Sequence, residues 1–345
     1  MKIISVGYHN PNFINSLVYR EKAIEGMGHT LISFDDRDFI IPGRIRRKSN
    51  FLKAWDLARL NRKLIALAKG EKPDVCLVVG GQGVKPETVQ AIAGMGTRIV
   101  LWTTDAPIFY SDTTETPRGF KNIIKAAPFY QHIFCAGTEA ADIFRDMGLK
   151  DIEWLPFACD VDCHLPVELS EGDRKRYARD IAFVGSFYHN RARILESIYD
   201  MNIGVWGPHW YKLGNASPIK SSVMSGSVNY LEWLKIYNAS KIVLVLHYND
   251  GKTPCYQASP KLFEALACRS FVMVDDQKDA HALFEDGKQV VFFTDEADLR
   301  KKIEYYLKNP KERERIANAG YEEVKKKHTY EHRIERILDI VAGGG

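Results

Sequence analysis

The order of short apolar runs and helical patterns along the chain is the feature that most constrains its fold. Runs rich in β-branched residues alternate with stretches of helical periodicity, first across residues 3–147 and again across residues 181–293. This alternation is typical of βαβ units, whose strands are parallel. Because the runs are apolar throughout, each sheet is expected to be covered by helices on both faces. The sequence therefore predicts an α/β protein with two Rossmann-like, doubly wound parallel sheets.

The individual elements follow from the same pattern. Predicted strands span residues 3–6, 30–34, 75–79, 98–102, 133–135, 181–184, 203–206, 242–246, 271–274 and 290–293. Predicted helices span residues 13–27, 51–68, 86–93, 138–147, 190–199, 230–238, 260–268, 280–284, 296–307, 311–326 and 330–341. Thr138 is expected to cap its helix and Gly148 to end it, while Ser259 and Pro260 mark a strong helix start.

The domain bounds are predicted from the stretch in which the periodicity disappears. Around residues 154–179, Pro, Asp and basic residues replace the regular pattern, which is typical of a linker. We therefore expect a first domain at 1–158, a linker at 159–178 and a second domain at 179–329. The C-terminal helix, 330–345, is expected to return toward the first domain.

Composition excludes several classes of protein. Lys and Arg number 48 against 44 Asp and Glu, a net charge of +4 that is too small and evenly spread for a nucleic-acid binder. The first ten residues lack a signal-peptide core, and no apolar stretch approaches the roughly 20 residues that span a bilayer. Six cysteines without disulfide spacing favour the cytoplasm. Cys159, Cys163 and His164 are too few for a metal site, so no metal is expected.

The helix that follows Ser259 is the most informative candidate for chemistry. Its N-terminus can hold a diphosphate, because unpaired N–H groups and the helix dipole favour anions there. One turn in, Glu264 can accept two hydrogen bonds from a ribose diol. In the preceding βα loop, Gly185 and Ser186 can bring backbone N–H groups to a phosphate, and Arg191 opens the next helix. Arg191 can also be an ordinary surface charge.

Residues 259–268, followed by Val272-Met273-Val274, resemble the donor-binding helix of group-1 glycosyltransferases, and the CgeB-like, spore-maturation branch in particular. The resemblance extends to Phe183-Val184-Gly185-Ser186 with Arg191 and Leu195, Trp206-Gly207-Pro208, 237–242, 305–310, and His328-Thr329-Tyr330 with Arg333. It implies a GT-B architecture, in which two domains face each other across a cleft. It also implies a metal-independent transferase in glycan or polysaccharide synthesis that uses a nucleoside-diphosphate sugar, with UDP the expected nucleotide, and no cofactor.

The resemblance assigns the donor site to Gly185, Ser186, Arg191, Ser259, Lys261, Leu262 and Glu264. Group-1 enzymes often carry two glutamates eight positions apart, of which the second matches Glu264. At the first position this chain has Tyr256, a candidate contact for the donor sugar, and Lys261 stands where the branch more often has Arg. Because Tyr256 replaces that glutamate, an alternative function stays open, in which the chain is a non-catalytic protein that binds a nucleotide sugar or a carbohydrate. An NAD-dependent oxidoreductase is the other alternative, but G-x-G-x-x-G is missing from the first βα loops.

The catalytic base is expected in the first domain. Two loops, 7–12 and 102–107, follow predicted strands and so reach the carboxyl edge of the sheet. An inverting reaction needs a group that removes the proton of the acceptor hydroxyl, and His9 or Asp105 could serve. The aromatic-Asp-Pro segment around Asp105 also resembles the CgeB-like branch. The pairs 35–36 and 275–276, both Asp-Asp, are interpreted as turn formers rather than cation ligands.

A basic, partly apolar segment at 44–69 is the candidate contact surface. It carries nine Lys and Arg residues interleaved with Phe51, Leu52, Trp55 and Leu64. An amphipathic basic helix can lie on anionic lipid or on an anionic acceptor, which would place the protein at the inner face of the membrane. The alternative is a helix that packs its apolar face on the sheet and leaves its basic face in water.

Overall fold

The structure is a computed structural model that describes residues 1–10, 15–106, 118–226, 228–249, 251 and 255–343. Its chain divides into two compact units. The first comprises Met1–Pro156 together with Arg333–Gly345, and the second comprises Phe157–His332. Each unit is built around one six-stranded sheet in which every pairing is parallel.

The first unit contains the sheet β2-β1-β3-β4-β5-β6. Its strands are β1 Lys2–Gly7, β2 Thr30–Asp35, β3 Val75–Val79, β4 Arg98–Thr103, β5 His132–Cys135 and β6 Ile152–Trp154. Its first six helices are α1 Ser16–Gly26, α2 Gly43–Arg46, α3 Asn50–Glu71, α4 Pro86–Ala93, α5 Arg118–Ala126 and α6 Thr138–Asp146. A 3₁₀ turn, Ala127–Phe129, precedes β5.

The inner strands of the first unit's sheet are buried on both faces, as their apolar sequences require, whereas the edge strand β2 is mostly exposed or half-buried. In β1, Ile3, Ile4 and Val6 are each at most 1 % exposed, and Val6 pairs with Phe34 on one side and Val78 on the other. Because all six strands run in one direction, their carboxyl ends meet at one edge. The loops that leave this edge carry the candidate site residues of the first unit.

The second unit contains the sheet β12-β11-β10-β7-β8-β9. Its strands are β7 Ile181–Val184, β8 Ile203–Trp206, β9 Val223–Ser225, β10 Ile242–Val245, β11 Val272–Asp275 and β12 Val291–Phe293. Its helices are α7 Glu171–Tyr177, α8 His189–Glu196, α9 Tyr230–Ala239, α10 Pro260–Ala267, α11 Lys278–Leu283, α12 Glu296–Lys308 and α13 Pro310–Lys327. Two 3₁₀ turns, Trp210–Lys212 and Pro218–Ser222, lie between β8 and β9.

The last helix, α14 Tyr330–Gly343, belongs mostly to the first unit. Arg336 forms a two-pronged ion pair with Glu153, at 2.8 and 2.9 Å, and Arg333 Nε donates to the carbonyl of Pro156 at 2.9 Å. Residues 159–178, expected as a linker, lie within the second unit, where α7 packs against α9. Compactness does not establish independent folding, so the predicted domain bounds stay predictions.

The ten predicted strands and the α/β fold class are confirmed, and the differences have local causes. The sequence analysis missed β6 and β9, three-residue edge strands too short to show a period. It also missed α2, α5 and α7. The prediction that Thr138 caps α6 is wrong, because Gly137 is the N-cap and Thr138 is the first helical residue. Residues 11–14, part of the loop 7–12 and of the expected helix 13–27, lie outside the described residues.

Candidate functional site

The start of α10 is built as the sequence predicts. Ser259 is the N-cap and its Oγ accepts a hydrogen bond from Lys261 N at 3.3 Å, while Pro260 occupies the first turn. Such a start pre-organises the helix. Its first N–H groups are already paired, because Leu262 N also donates, at 3.0 Å, to the carbonyl of Ser259. The rest of the helix is held by burial, since Leu262, Phe263, Ala265 and Leu266 are fully buried. The polar residues of α10 are therefore fixed on a rigid support.

Glu264 and Lys261 bring two buried charges to this helix. Glu264 is 7 % exposed, and its Oε2 makes no hydrogen bond within the described part of the chain. Burial raises the pKa of Glu264 above its usual value, and the Lys261 ammonium partly opposes this. Burial also lowers the pKa of Lys261. The charge of Glu264 opposes this decrease, and the charge of Arg191 adds to it. The Lys261 Nζ stands 4.9 Å from the ring centre of Trp233.

Arg191 supplies a second cation to the same place. It lies on α8, its NH1 donates to the carbonyl of Ser186 at 3.0 Å, and its guanidinium lies 4.8 Å from the ring centre of Tyr188. Burial lowers the pKa of Arg191, and its Nε has no hydrogen-bond partner among the described residues. Two partly desolvated cations and one carboxylate thus share the carboxyl edge of the second sheet, and Arg191 is not an ordinary surface charge.

Two of the predicted donor residues have other roles. The Gly185 N–H donates to the Trp206 carbonyl at 2.8 Å, so the prediction that it is open to a phosphate is wrong. The Gly185 carbonyl is also occupied, by Trp210 Nε1 at 2.9 Å. Leu262 is fully buried and its N–H donates to the Ser259 carbonyl, so its side chain belongs to the core. The carbonyl of Ser186 accepts a hydrogen bond from Arg191 NH1, and the prediction that its N–H approaches a phosphate stays a prediction.

Tyr256, at the position where the family often has a glutamate, has a lysine over its ring. Lys278 Nζ lies 4.5 Å from the centre of its ring, and its carbonyl accepts a hydrogen bond from Asp279 N at 3.1 Å. The backbone on either side is also held, because Gln277 Nε2 donates to the carbonyls of Cys255 and Gln257. Tyr256 is therefore positioned by the start of α11.

The sequence analysis missed a histidine–aspartate pair beside α10. His247 follows β10 and Asp275 ends β11, and the Asp275 carboxylate accepts from both the backbone N and the Nδ1 of His247, the latter at 2.6 Å. The Nε2 of His247 contacts Ser259 N at 2.9 Å. The interpretation of Asp275 as a turn former is therefore wrong. Both residues directly follow predicted strands, 242–246 and 271–274, but the sequence does not show that these strands are neighbours in the sheet.

The first unit has a pocket of about 150 Å³ at the carboxyl edge of its sheet. Its walls come from the loops after β1, β2, β3 and β4 and from the first turns of α1. The polar side chains in the walls are those of Tyr8, Asn15, Ser16, Arg20, Asp36, Arg37, Gln82, Thr104 and Asp105. Arg20 is fully buried and its guanidinium lies 4.0 Å from the ring centre of Trp102.

Asp105 lines this pocket, as a candidate base should. Its side chain is exposed, yet the protein around it removes enough water to raise its pKa above the usual value. A hydrogen bond with Thr104 and the charge of Arg37 oppose that rise. The Asp105 carbonyl accepts from Thr103 Oγ1 at 2.7 Å, which fixes the backbone where β4 ends. Residue 107 of the predicted loop lies outside the described residues.

His9, the other candidate base, is held by a carboxylate. Its Nε2 lies 2.9 and 3.0 Å from the two carboxylate oxygens of Glu21, a residue of α1. Its Nδ1 is buried and unbonded to any residue that the structure describes. A base at this position would therefore use Nδ1, with Glu21 orienting the ring.

Asp36 is the residue of this pocket that the sequence analysis misread. Burial raises its pKa from 3.8 to about 6, an effect opposed by Arg37 and, more weakly, by His9. It is 8 % exposed, and its Oδ1 accepts no hydrogen bond from the described residues. Asp35 is the turn former of the pair, since its Oδ1 accepts from Arg37 N at 2.8 Å. Asp36 instead lines the same pocket as Asp105.

The chain is similar in sequence to known proteins. The glycosyl transferase-like family matches residues 190–339. The spore protein CgeB of Bacillus subtilis (strain 168) is 23 % identical over 282 residues, covering 78 % of this chain and 83 % of CgeB. Together with the fold, these matches support a group-1 GT-B glycosyltransferase.

Solved structures agree with the GT-B fold. Sucrose-phosphate synthase (tll1590) from Thermosynechococcus elongatus has a TM-score of 0.72 at 11 % identity, with 99 % of this chain and 98 % of that chain covered. Anabaena Alr3699/HepE, solved in complex with UDP and glucose, has a TM-score of 0.67 at 11 % identity, with 99 % and 100 % covered. The family match spans the candidate donor residues Arg191, Tyr256, Lys261 and Glu264, whereas His9 and Asp105 lie outside it.

Two searches of the described residues bear on metals and membranes. In those ranges, no three His, Cys, Asp or Glu side chains lie close enough together to hold a metal ion. Near the Cys159 cluster, His164 Nδ1 accepts a hydrogen bond from Asp160 N at 3.0 Å. Of the helices that the structure describes, none has both the length and the apolar composition needed to cross a bilayer.

Proposed function

We propose that the glycosyltransferase moves a sugar from a nucleoside-diphosphate donor, held by the second unit, to an acceptor hydroxyl without using a metal ion. The observation that carries the proposal is the group formed by Arg191, Lys261 and Glu264 at the start of α10. Burial removes water from both cations and so lowers the pKa of each, and the single carboxylate does not balance their charge. An anion bound there would restore that balance.

The diphosphate is proposed to lie against the N-terminus of α10. The helix dipole and the Arg191 and Lys261 side chains would together offset the negative charge that grows on the leaving group. This arrangement supplies the stabilisation that other transferases obtain from a divalent cation. The metal independence of the reaction rests on these cations.

The ribose is proposed to bind Glu264. A buried carboxylate with a raised pKa and a free Oε2 lacks donors, and the two hydroxyls of a ribose would supply them. We propose UDP as the nucleotide, and a structural neighbour, Anabaena HepE, has been solved with UDP and with UDP-glucose. Tyr256, with Lys278 beside its ring, is proposed to contact the donor sugar.

The acceptor hydroxyl is proposed to bind in the pocket of the first unit, where Asp105 or His9 would remove its proton. In an inverting transfer, the acceptor oxygen forms a bond to the anomeric carbon while the bond from that carbon to the diphosphate oxygen breaks. The nucleoside diphosphate leaves with the electron pair. The base keeps the proton until it is returned to solvent.

A calorimetric and thermal-shift screen of the purified protein tests the donor site. UDP, GDP, dTDP, CMP and NAD would be compared with and without magnesium, because a ligand that binds the native state raises its melting temperature. We expect UDP to stabilise the protein equally with and without magnesium. Stabilisation by NAD alone would replace the proposal with an oxidoreductase. Binding of UDP-sugars without any turnover across an acceptor panel would indicate a non-catalytic binding protein.

We also propose that part of the basic segment contacts an anionic membrane from the cytoplasmic side. The two parts of the segment differ in burial. Leu60 and Leu64 of α3 pack into the core of the first unit. Phe51 and Trp55, at the start of α3, are 76 % and 42 % exposed. Ile40 and Ile45 are also exposed, as are Arg44, Arg47 and Lys48. Between residues 39 and 70 the only acid is Asp56, which is fully buried.

Sedimentation with lipid vesicles tests this contact. The protein is expected to bind phosphatidylglycerol vesicles at low salt and to be released by salt, and not to bind phosphatidylcholine vesicles. The double variant Phe51→Ser/Trp55→Ser should lose binding. Tyr211→Ser, which removes an aromatic side chain that is 80 % exposed in the second unit, is the matched control. Equal binding by both variants would rule out this surface.

A further inference from the structure

His247 is a junction between the two elements that carry the cations of the donor site. Its backbone N–H and its Nδ1 both bond to the carboxylate of Asp275, and its carbonyl accepts from Asn190 Nδ2 at 2.9 Å. Its Nε2 contacts Ser259 N at 2.9 Å. The residue is 4 % exposed, so these bonds form in a protected environment.

The hydrogen bonds determine which ring nitrogen of His247 carries the proton. A backbone N–H can only donate, so the Nε2 that faces Ser259 N must accept and cannot carry a hydrogen. The proton is then on Nδ1, where it is donated to Asp275 Oδ1 at 2.6 Å. Asp275 thereby selects the one neutral tautomer of His247 that can bond to the start of α10.

Each partner of His247 adjoins a residue of the donor site. Asn190 precedes Arg191 at the start of α8, and Ser259 is the N-cap of α10, the helix that carries Lys261 and Glu264. The bonds from His247 therefore tie both elements to the ends of β10 and β11. A shift of either element would change the separation of Arg191 and Lys261, and with it the fit to a diphosphate.

We propose that His247, with its tautomer set by Asp275, is a positioning residue that holds α8 and α10 at the spacing required by the nucleoside diphosphate. The inference rests on the proposed function, because it assumes that the nucleotide binds there. His247 acts through the backbone of Ser259 and the side chain of Asn190 and does not itself contact the donor.

Asp275→Asn provides the sharpest test. An asparagine has nearly the same shape, but its amide can donate to Nδ1, which would move the proton of His247 to Nε2 and set it against Ser259 N–H. We expect the dissociation constant of UDP to rise about tenfold, the effect of losing roughly one hydrogen bond. The ¹⁵N spectrum of His247 is expected to change from the Nδ1–H to the Nε2–H tautomer.

Asp276→Asn is the matched control, because Asp276 forms the same kind of bond with His281, at 2.6 Å, on the exposed surface. It should leave UDP affinity and the His247 spectrum unchanged. His247→Gln, whose carbonyl can still accept from Ser259 N, is expected to bind UDP better than His247→Ala at a similar melting temperature. This second pair keeps the test decisive if Asp275→Asn fails to fold.

The outcomes separate this inference from the proposed function. If the wild-type protein binds no nucleoside diphosphate, the proposed function fails and the positioning role fails with it. If the wild type binds UDP and the folded Asp275→Asn and His247→Ala variants bind it equally well, only the positioning role is overturned. An Nε2–H tautomer in the wild-type spectrum would also overturn it.

Discussion

Lys261 and Glu264 lie one turn apart on α10, and each opposes the change that burial makes in the pKa of the other. Burial lowers the pKa of the lysine and raises that of the glutamate, because removal of water disfavours both charged forms. Arg191 adds a second positive charge near Lys261. The site therefore holds charges that its own residues leave incompletely balanced, as is typical of a site that awaits a charged ligand.

Replacement of Glu264 by alanine is the first prediction from this arrangement. Because Oε2 has no described partner, the carboxylate is free to accept hydrogen bonds from a ribose. Glu264→Ala should weaken UDP binding by about 1 to 3 kcal/mol, the range for hydrogen bonds to a charged group. Calorimetric titration measures the loss, with Glu304→Ala on the exposed surface of α12 as the control. Unchanged affinity in a folded Glu264 variant would remove the ribose assignment.

Replacement of the candidate bases should separate catalysis from donor binding. Asp105→Asn or His9→Ala is expected to lower kcat by about a hundredfold or more, as for loss of a general base, while UDP affinity stays the same. The raised pKa of Asp105 adds a signature. A base must be ionised, so the rate through Asp105 should rise with pH across a pKa above that of an ordinary aspartate. Full activity in both variants would exclude both residues.

The sequence could predict the fold and part of the donor site because these depend on local pattern. Each strand and helix is recognisable from the apolar pattern of its own residues. Ser259 and Pro260 predict the helix start, because serine favours the N-cap and proline the first turn. Glu264 follows from its place one turn into that helix. The short edge strands β6 and β9 have too few residues for any pattern, so only their neighbours define them.

The rest of the site depends on contacts between distant residues. Asp275 pairs with His247, 28 positions away, because β10 and β11 are neighbours in the sheet, and strand order is not visible in a local pattern. Asp35 and Asp36 differ in the direction in which their side chains point, and only the Asp36 side chain is buried in the pocket. Two adjacent aspartates after a strand resemble a turn in either case.

Asp36 should reduce stability at neutral pH. Burial raises its pKa from 3.8 to about 6, so the folded protein binds the proton more tightly than the unfolded chain. Its contribution to stability is then complete below pH 3.8 and is lost as the pH rises to about 6. Asp36→Asn carries no charge and should not show this loss. We expect the variant to gain up to about 2 to 3 kcal/mol in free energy of unfolding at pH 7.5.

Urea unfolding at a series of pH values checks this prediction. The difference between Asp36→Asn and the wild type should grow between about pH 4 and pH 6 and stay constant above that range. Asp35→Asn is the control, because Asp35 serves the turn. If Asp36 lines the acceptor pocket, the stabilised variant should also lose activity, an exchange of stability for function. A difference that does not vary with pH would show that the carboxyl titrates normally.

Gly207 is predicted to control the shape of the loop that carries Ser186. It has φ near +137°, and an added Cβ would lie 2.1 Å from the carbonyl oxygen of Gly185, which Trp210 also binds. Gly207→Ala must therefore displace the Gly185 backbone, at a cost of about 1 to 3 kcal/mol in the free energy of unfolding. Because Ser186 holds Arg191 through its carbonyl, UDP affinity should also fall.

Gly214→Ala is the control for this substitution, since no atom lies within 4 Å of its added Cβ and its φ is not positive. It removes the same backbone freedom from the unfolded chain, so the comparison isolates the close approach between Gly207 and Gly185. Urea unfolding and calorimetric titration of the two variants give both quantities. If Gly207→Ala matched Gly214→Ala in stability and in UDP affinity, the loop would tolerate the added methyl group and would not need Gly207 to place Arg191.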